Sequence, residues 1–212
     1  MNNEQNNRIP LKNQRGYDSF VHEYSAALKE ILTKVEILSE DFAVHHDYNP
    51  IHHVESRIKS PDSLEEKLER FGFPVELNYA RENMFDIAGV RIVVNFIDDV
   101  YKMEEMLLAQ NDISLISQKD YIQNPKENGY RSLHLAIKVP VFLLNGWVSV
   151  PVEVQIRTVA MDFWASLEHN LRYKRDNIIT PKQNIELKAC AEVSATLDKR
   201  MQKIYNELYK FE

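Results

Sequence analysis

A single cysteine, Cys190, in a chain of 212 residues leaves no internal disulfide framework and suits a reducing compartment. No stretch approaches the roughly 20 apolar residues that a membrane-spanning helix requires. An excess of basic charge is also missing. The net charge is -6, which argues against a general nucleic-acid binder and leaves room for a local cationic pocket. Internal repeats are absent. Met1 to Arg15, rich in Asn and Gln, has no apolar pattern and lacks the apolar core of a signal peptide, so it reads as a flexible tail. The chain as a whole is 44% apolar and 27% charged, the balance of an ordinary globular domain with a sizeable core. A single soluble, cytoplasmic domain over residues 16–212 is therefore expected.

Periodicity outlines the elements. Tyr17, Val21, Tyr24, Leu28, Ile31, Val35, Leu38 and Phe42 recur at steps of four and three, the stripe of one long helix. The pattern stops at Asn49-Pro50. Val54 to Lys59 alternates as a strand with one charged face, and Pro61-Asp62-Ser63 reads as the cap of a short helix ending near Phe71. Gly89 to Phe96 is rich in β-branched residues and predicts a strand, followed by an amphipathic helix over Asp98 to Gln110. Further strands are expected over Ile113 to Ile122, Arg131 to Val139 and Val148 to Arg157, the last two joined near Asn145-Gly146. A helix follows from about Met161. The final helix, Ile185 to Leu208, carries a stripe of Leu187, Cys190, Ser194, Leu197, Met201, Ile204 and Leu208, with Cys190 read as packing. This order predicts an α+β fold, a mixed sheet covered by helices.

Four segments hold the unusual polar residues. In the first, Arg57 and Lys59 share a strand face, and Ser63 and Lys67 share the face of the helix that follows. Paired cations before a helix start suit a polyphosphate, although a charged strand face is more often just solvated. In the second, Asp86 precedes a buried strand that carries Arg91, a metal-and-phosphate arrangement or ordinary turn chemistry. The third runs from Lys126 through Asn128, Gly129 and Tyr130, with His134 on the next strand. It offers a ring for a base to stack on and an amide to read a base edge, or else a tight loop with an exposed tyrosine. In the fourth, Glu153, Gln155 and Arg157 share one strand face while Val152, Val154 and Ile156 share the other. A covered face of that kind needs partners for its polar groups, which a bound metal and phosphates would supply.

The motifs RIKS, DIAGVRI, KENGYRSLH, EVQIRT and MDFWASLEHNLRYK, in this order, resemble the synthetase domain of the alarmone (ppGpp) synthetases, the GTP pyrophosphokinases. The resemblance runs from Tyr17 to the end and is to the single-domain small synthetases of the RelP and RelQ kind, closer to RelP at His53 and Glu55. It implies a nucleotidyltransferase-like mixed sheet of about five strands. The implied bacterial stringent-response activity moves pyrophosphate from ATP to the 3′-hydroxyl of GDP or GTP and releases AMP. Residue by residue, the resemblance places the ATP adenine between Arg57 and Arg91, and the ATP phosphates on Lys59, Ser63 and Lys67. Asp86 and Glu153 would be catalytic and would ligate magnesium. Tyr130 would stack on the acceptor guanine with Asn128 nearby, and Lys126, His134 and Gln155 would surround its phosphates and ribose. Arg157, His169 and Lys174 match family positions without an assigned contact. A homotetramer is implied too, with no membrane and no obligatory nucleic-acid partner.

Other readings stay open. His45-His46-Asp47 looks superficially like a metal-dependent phosphohydrolase signature, but no room for a hydrolase domain precedes the synthetase segment. His45, His46, His52 and His53 read as a solvated loop before they read as a transition-metal trap. A polymerase-β-like nucleotidyltransferase that releases pyrophosphate, and a non-catalytic nucleotide-binding scaffold, are the rival function classes.

Overall fold

The long apolar stripe at the start of the chain does form one helix, α1, over Tyr17–His45 in the computed structural model, which describes residues 9–173 and 179–209. The remaining elements are β1 (Ile51–Ile58), α2 (Pro61–Arg70), α3 (Leu77–Asn83), β2 (Ala88–Val94), α4 (Ile97–Leu108), β3 (Ser114–Asp120), β4 (Leu133–Leu143), β5 (Gly146–Thr158), α5 (Val159–Tyr173) and α6 (Pro181–Tyr209). The strands form one five-stranded mixed sheet in the order β1-β2-β5-β4-β3. The central pair, β2 and β5, is parallel, and every other pair is antiparallel. No helix among the described residues is long and apolar enough to cross a membrane.

Register sorts the side chains into two faces, because residues directly opposite one another share a face. Val54, Ile92, Ile156 and Leu133 lie in one row, and Ser56, Val90, Val154 and Leu135 in the next. This apolar face is covered by Leu28, Ile31 and Val35 of α1 and by Val100, Met103 and Leu107 of α4, all buried in the same core. Each such side chain contributes roughly 1.5–3 kcal/mol by leaving water. The opposite face is polar and carries the site.

Three details differ from the expectation. The flexible tail expected over residues 1–15 does not include Leu11, which is 0% exposed and whose amide donates to the Glu65 carboxylate at 2.7 Å. A lone leucine has no periodicity to betray it, yet it anchors the chain from there on; residues 1–8 lie outside the described residues. The cap of α2 is Ser60, whose Oγ accepts from the Ser63 amide at 3.2 Å, with Pro61 in the first helical position. α3 was not anticipated, being only 7 residues long.

The larger correction concerns α6. Its apolar stripe faces outward, with Leu197 53%, Met201 45%, Ile204 49% and Leu208 68% exposed, and Cys190 is exposed rather than packed. The buried stripe is Ala191, Asp198 and Gln202. This face docks on element ends, which present polar groups. The Thr158 hydroxyl at the end of β5 donates to Asp198 at 2.5 Å, and the Asp98 amide at the start of α4 donates to Gln202 at 2.9 Å. Burial pushes the Asp198 carboxyl up, opposed by the bond from Thr158.

Candidate active site

The polar face is built from rows that cross the sheet. One row reads Arg57, Gly89, Glu153, Ala136 and Ser117, and the next reads Glu55, Arg91, Gln155, His134 and Lys119. Glu153 thus stands between a glycine and an alanine, whose small side chains leave space on both sides of the carboxylate. Arg57, Arg91, Glu153, Gln155 and His134, separate in sequence, are brought onto one surface by strand pairing alone.

Asp86 joins them from the loop before β2. Its carboxylate pairs with the Lys59 ammonium and, at 2.7 Å, with that of Lys67 on α2. Burial pushes the Asp86 carboxyl up, but the two lysines outweigh it and hold the group below its ordinary value. Burial in turn lowers Lys59, against the pull of Asp86. Ser63 lies on the exposed first turn of α2, bonded to Ser60.

Glu153 accepts from the Gln155 amide at 2.7 Å and has His134 Nδ1 at 3.4 Å. Burial pushes this carboxyl up as well; His134 and Gln155 overcome that push, and the neighbouring Asp86 charge opposes them, leaving Glu153 below its ordinary value. Both carboxylates are therefore ionised at neutral pH.

Tyr130 anchors the other side. Its hydroxyl accepts from Arg157 Nη2 at 2.9 Å and meets His134 Nε2 at 2.8 Å. With a neutral imidazole, the arrangement that satisfies every group has the tyrosine donating to Nε2, which leaves Nδ1–H directed at Glu153. Burial pushes the Tyr130 phenol up, so it keeps the proton this requires. The Lys126 ammonium lies over the rings of Tyr121 and Tyr130, 4.6 and 4.8 Å from their centroids. Burial holds Lys126 below the usual lysine range. Asn128 works first as a loop staple: its Oδ1 accepts from the Tyr130 amide at 3.2 Å and its Nδ2 donates to Glu168 at 3.2 Å. His169 is exposed on α5, and Lys174 lies outside the described residues.

Two clefts open on this face. The first is lined by Glu55, Arg57 and Arg91, together with Asp86 and Glu153. The second is lined by Lys67, Lys119, Tyr121, Lys126 and His134, again with Asp86 and Glu153. The two carboxylates form the wall common to both. Among the described residues no group of three or more His, Cys, Asp or Glu gathers to hold a metal by itself. Two ionised carboxylates of this kind instead suit a hard cation that completes its shell with water and phosphate oxygens.

Asp162 and Tyr121 escaped the sequence reading. Asp162, in the first turn of α5, accepts from Arg157 at 3.0 Å and lies 3.5 Å from Arg91. An acid in a first turn is what any helix prefers, so nothing marked it. Tyr121 stands edge-on to Tyr130 and His134, with ring centroids at 6.0 and 5.2 Å, and had no motif signal.

Two adjoining clefts, one with paired arginines and one with three lysines, meet at paired carboxylates and define a domain suited to two phosphorylated ligands side by side. Residues 56–178 match the family described as the region found in RelA / SpoT proteins, and the chain belongs to that family. It is 45% identical over 185 residues to the GTP pyrophosphokinase YwaC of Bacillus subtilis, covering 87% of this chain and 88% of that protein. Its fold is similar to the small alarmone synthetase 1 of Bacillus subtilis bound to its product pppGpp, with a TM-score of 0.86 and 37% identity over 92% of this chain and all of that one. The same synthetase bound to AMPCPP superposes with a TM-score of 0.78 at 32% identity, over 93% of this chain and all of the other.

Proposed function

We propose that the protein transfers pyrophosphate from ATP to the 3′-hydroxyl of GDP or GTP, making a guanosine polyphosphate and releasing AMP. The observation that carries this reading is the shared wall: Asp86 and Glu153 border both clefts, where a group passing from one ligand to the other must travel. The related synthetase holds pppGpp in one structure and AMPCPP in another, which supports one nucleotide of each base.

In this reading the first cleft takes ATP. Arg57 and Arg91 offer flat guanidinium faces to the adenine, and Lys59, Ser63 and Lys67 hold the phosphates, Lys67 reaching from the second cleft across the shared Asp86 wall. The acceptor lies in the second cleft with its phosphates and ribose near Lys126 and His134, its guanine on Tyr130 beside them, and Gln155 facing it from the first cleft. Asn128 keeps the Tyr130 loop in shape. The 3′-oxygen attacks the β-phosphorus, the bond from that phosphorus to the bridging oxygen of the AMP portion breaks, and AMP leaves with that oxygen. Glu153 orients the hydroxyl and accepts its proton. Its lowered pKa makes it a weak base, so orientation and charge stabilisation carry much of its effect. Magnesium held by Asp86 and Glu153 would neutralise charge on the phosphates.

Thin-layer chromatography of labelled ATP incubated with GDP tests the activity directly. The expected products are AMP and a guanosine tetraphosphate. Release of pyrophosphate would mark a nucleotidyltransferase instead, and absence of any product would mark a binding protein.

The protein further self-associates in this reading, as a homotetramer in the cytoplasm, without membrane or obligatory nucleic acid. The α1 stripe gives no support, because it is spent on the protein's own sheet. Support comes from α5 and α6, whose outward faces carry Phe163 65%, Leu171 57%, Val193 70% and Leu208 68% exposed. Apolar surface on this scale marks an interface. Light scattering across a dilution series should give a mass several times the 24.9 kDa of one chain at micromolar concentration, and a single-chain mass throughout would refute assembly.

A further inference from the structure

We infer that Asp162 is a positioning residue that holds an arginine of the ATP cleft and an arginine of the acceptor site in one frame, so that each nucleotide strengthens binding of the other. The inference rests on the functional reading above. Asp162 Oδ1 accepts from Arg157 Nη1 at 3.0 Å and lies 3.5 Å from Arg91 Nη1, and the Asp162 side chain is only 15% exposed. Arg91 lines the first cleft, and the same Nη1 also pairs with Glu55 at 2.8 Å. Arg157 donates to the Tyr130 hydroxyl at 2.9 Å and stands over its ring, 5.2 Å from the centroid. An unbroken polar chain therefore runs from Glu55 through Arg91, Asp162, Arg157 and Tyr130 to His134 and Glu153.

The physics of that chain turns on one carboxylate between two guanidiniums. Without it, two cations brought together repel, more so where water is largely excluded. A carboxylate meets a guanidinium along its edge, so Asp162 fixes the arginines while leaving their flat faces free for a purine or a tyrosine ring. Asp162 is itself held: Ser166 Oγ donates to Oδ2 at 3.4 Å, and Thr158, locked by Asp198, caps the Met161 amide at 3.1 Å. The Nε–H groups of Arg91 and Arg157 are buried without hydrogen-bond partners, so both arginines keep a donor in reserve. Fixing either arginine with a nucleotide orders Asp162 and thereby the other arginine, which is positive coupling by shared ordering.

Titration calorimetry on the full chain tests this. A non-hydrolysable ATP analogue and GDP are each measured alone and with the other at saturation, in wild type, Asp162→Asn and Asp162→Ala. In wild type each nucleotide should tighten the other by roughly 5-fold or more, equally in both directions. Asp162→Asn keeps the shape, loses the charge and should lose most of this mutual effect. Asp162→Ala should also weaken both single affinities. Should the alanine variant not fold, the asparagine variant decides. Absence of mutual tightening in wild type, its survival in Asp162→Asn, or weakening confined to one nucleotide would each overturn the inference. A wild-type protein that bound neither nucleotide would overturn the functional reading beneath it.

Discussion

Glu153→Gln should leave a folded protein that has lost more than about 100-fold in turnover, the low end of what a positioned acid-base group supplies. The side chain keeps its size, but its single carbonyl oxygen can accept from only one of Gln155 and His134, which meet different oxygens of the carboxylate. The charge is what goes. With it go one of the two proposed magnesium ligands and the acceptor for the hydroxyl proton. Thermal stability should fall modestly, because the folded protein holds the Glu153 pKa below its ordinary value and so favours the charged form that the variant lacks. Turnover at saturating ATP and GDP, read beside a thermal melt, separates these effects; near wild-type turnover in a folded variant would end the assignment. The acid limb of the wild-type profile follows from the same balance. Burial raises the Glu153 pKa, His134 and Gln155 lower it further, and the net value lies below an ordinary carboxylate. Activity that depends on the ionised form is thus retained as pH falls to the usual carboxylate range, and is lost only below it.

Much of this site was legible because strands alternate with a period of two. Once Val152, Val154 and Ile156 are assigned to the core, Glu153, Gln155 and Arg157 have nowhere to go but the opposite face. The same argument placed Arg57; Arg91, on a strand rich in β-branched residues, stood out through its place after Asp86 and the family resemblance rather than by alternation. The helix stripe of α1 was equally plain, since a buried face and an apolar stripe coincide there. α6 shows where that logic stops. Period reports that a helix has an apolar side, and says nothing about whether its own subunit covers it. Asp198 and Gln202 could dock inward because Thr158 and Asp98 present groups to bond with, a fact of tertiary placement. Asp162 and Tyr121 were hidden for a related reason. Each gains its meaning only from residues that the fold brings beside it, and neither departs from what its local element would carry anyway.

Tyr130→Ala should weaken the guanine nucleotide by about 1–3 kcal/mol, the usual value of a base stacked on an aromatic ring, and ATP by much less. The ring is not bare. Lys126 covers it at 4.8 Å and Arg157 at 5.2 Å from the centroid, so a base that stacks there displaces the lysine ammonium. The lysine is the mobile member, because Arg157 is anchored by Asp162 and Gln155. Displaced, Lys126 stays within its tether of the acceptor phosphates, where its charge is better used. Truncation also opens space beside Trp164, Ala165 and Ala191, against which Tyr130 packs. A loss of thermal stability is therefore expected alongside, and affinities have to be taken well below the melt. Tyr130→Phe distinguishes ring from hydroxyl. It keeps the stacking surface and removes the bonds to His134 and Arg157, so guanine affinity should hold while turnover falls as His134 loses its orientation toward Glu153. Calorimetry with GDP and with an ATP analogue on both variants gives the answer. Equal losses for the two nucleotides in the alanine variant would make Tyr130 part of the frame that supports both clefts, and the acceptor base would then need another platform.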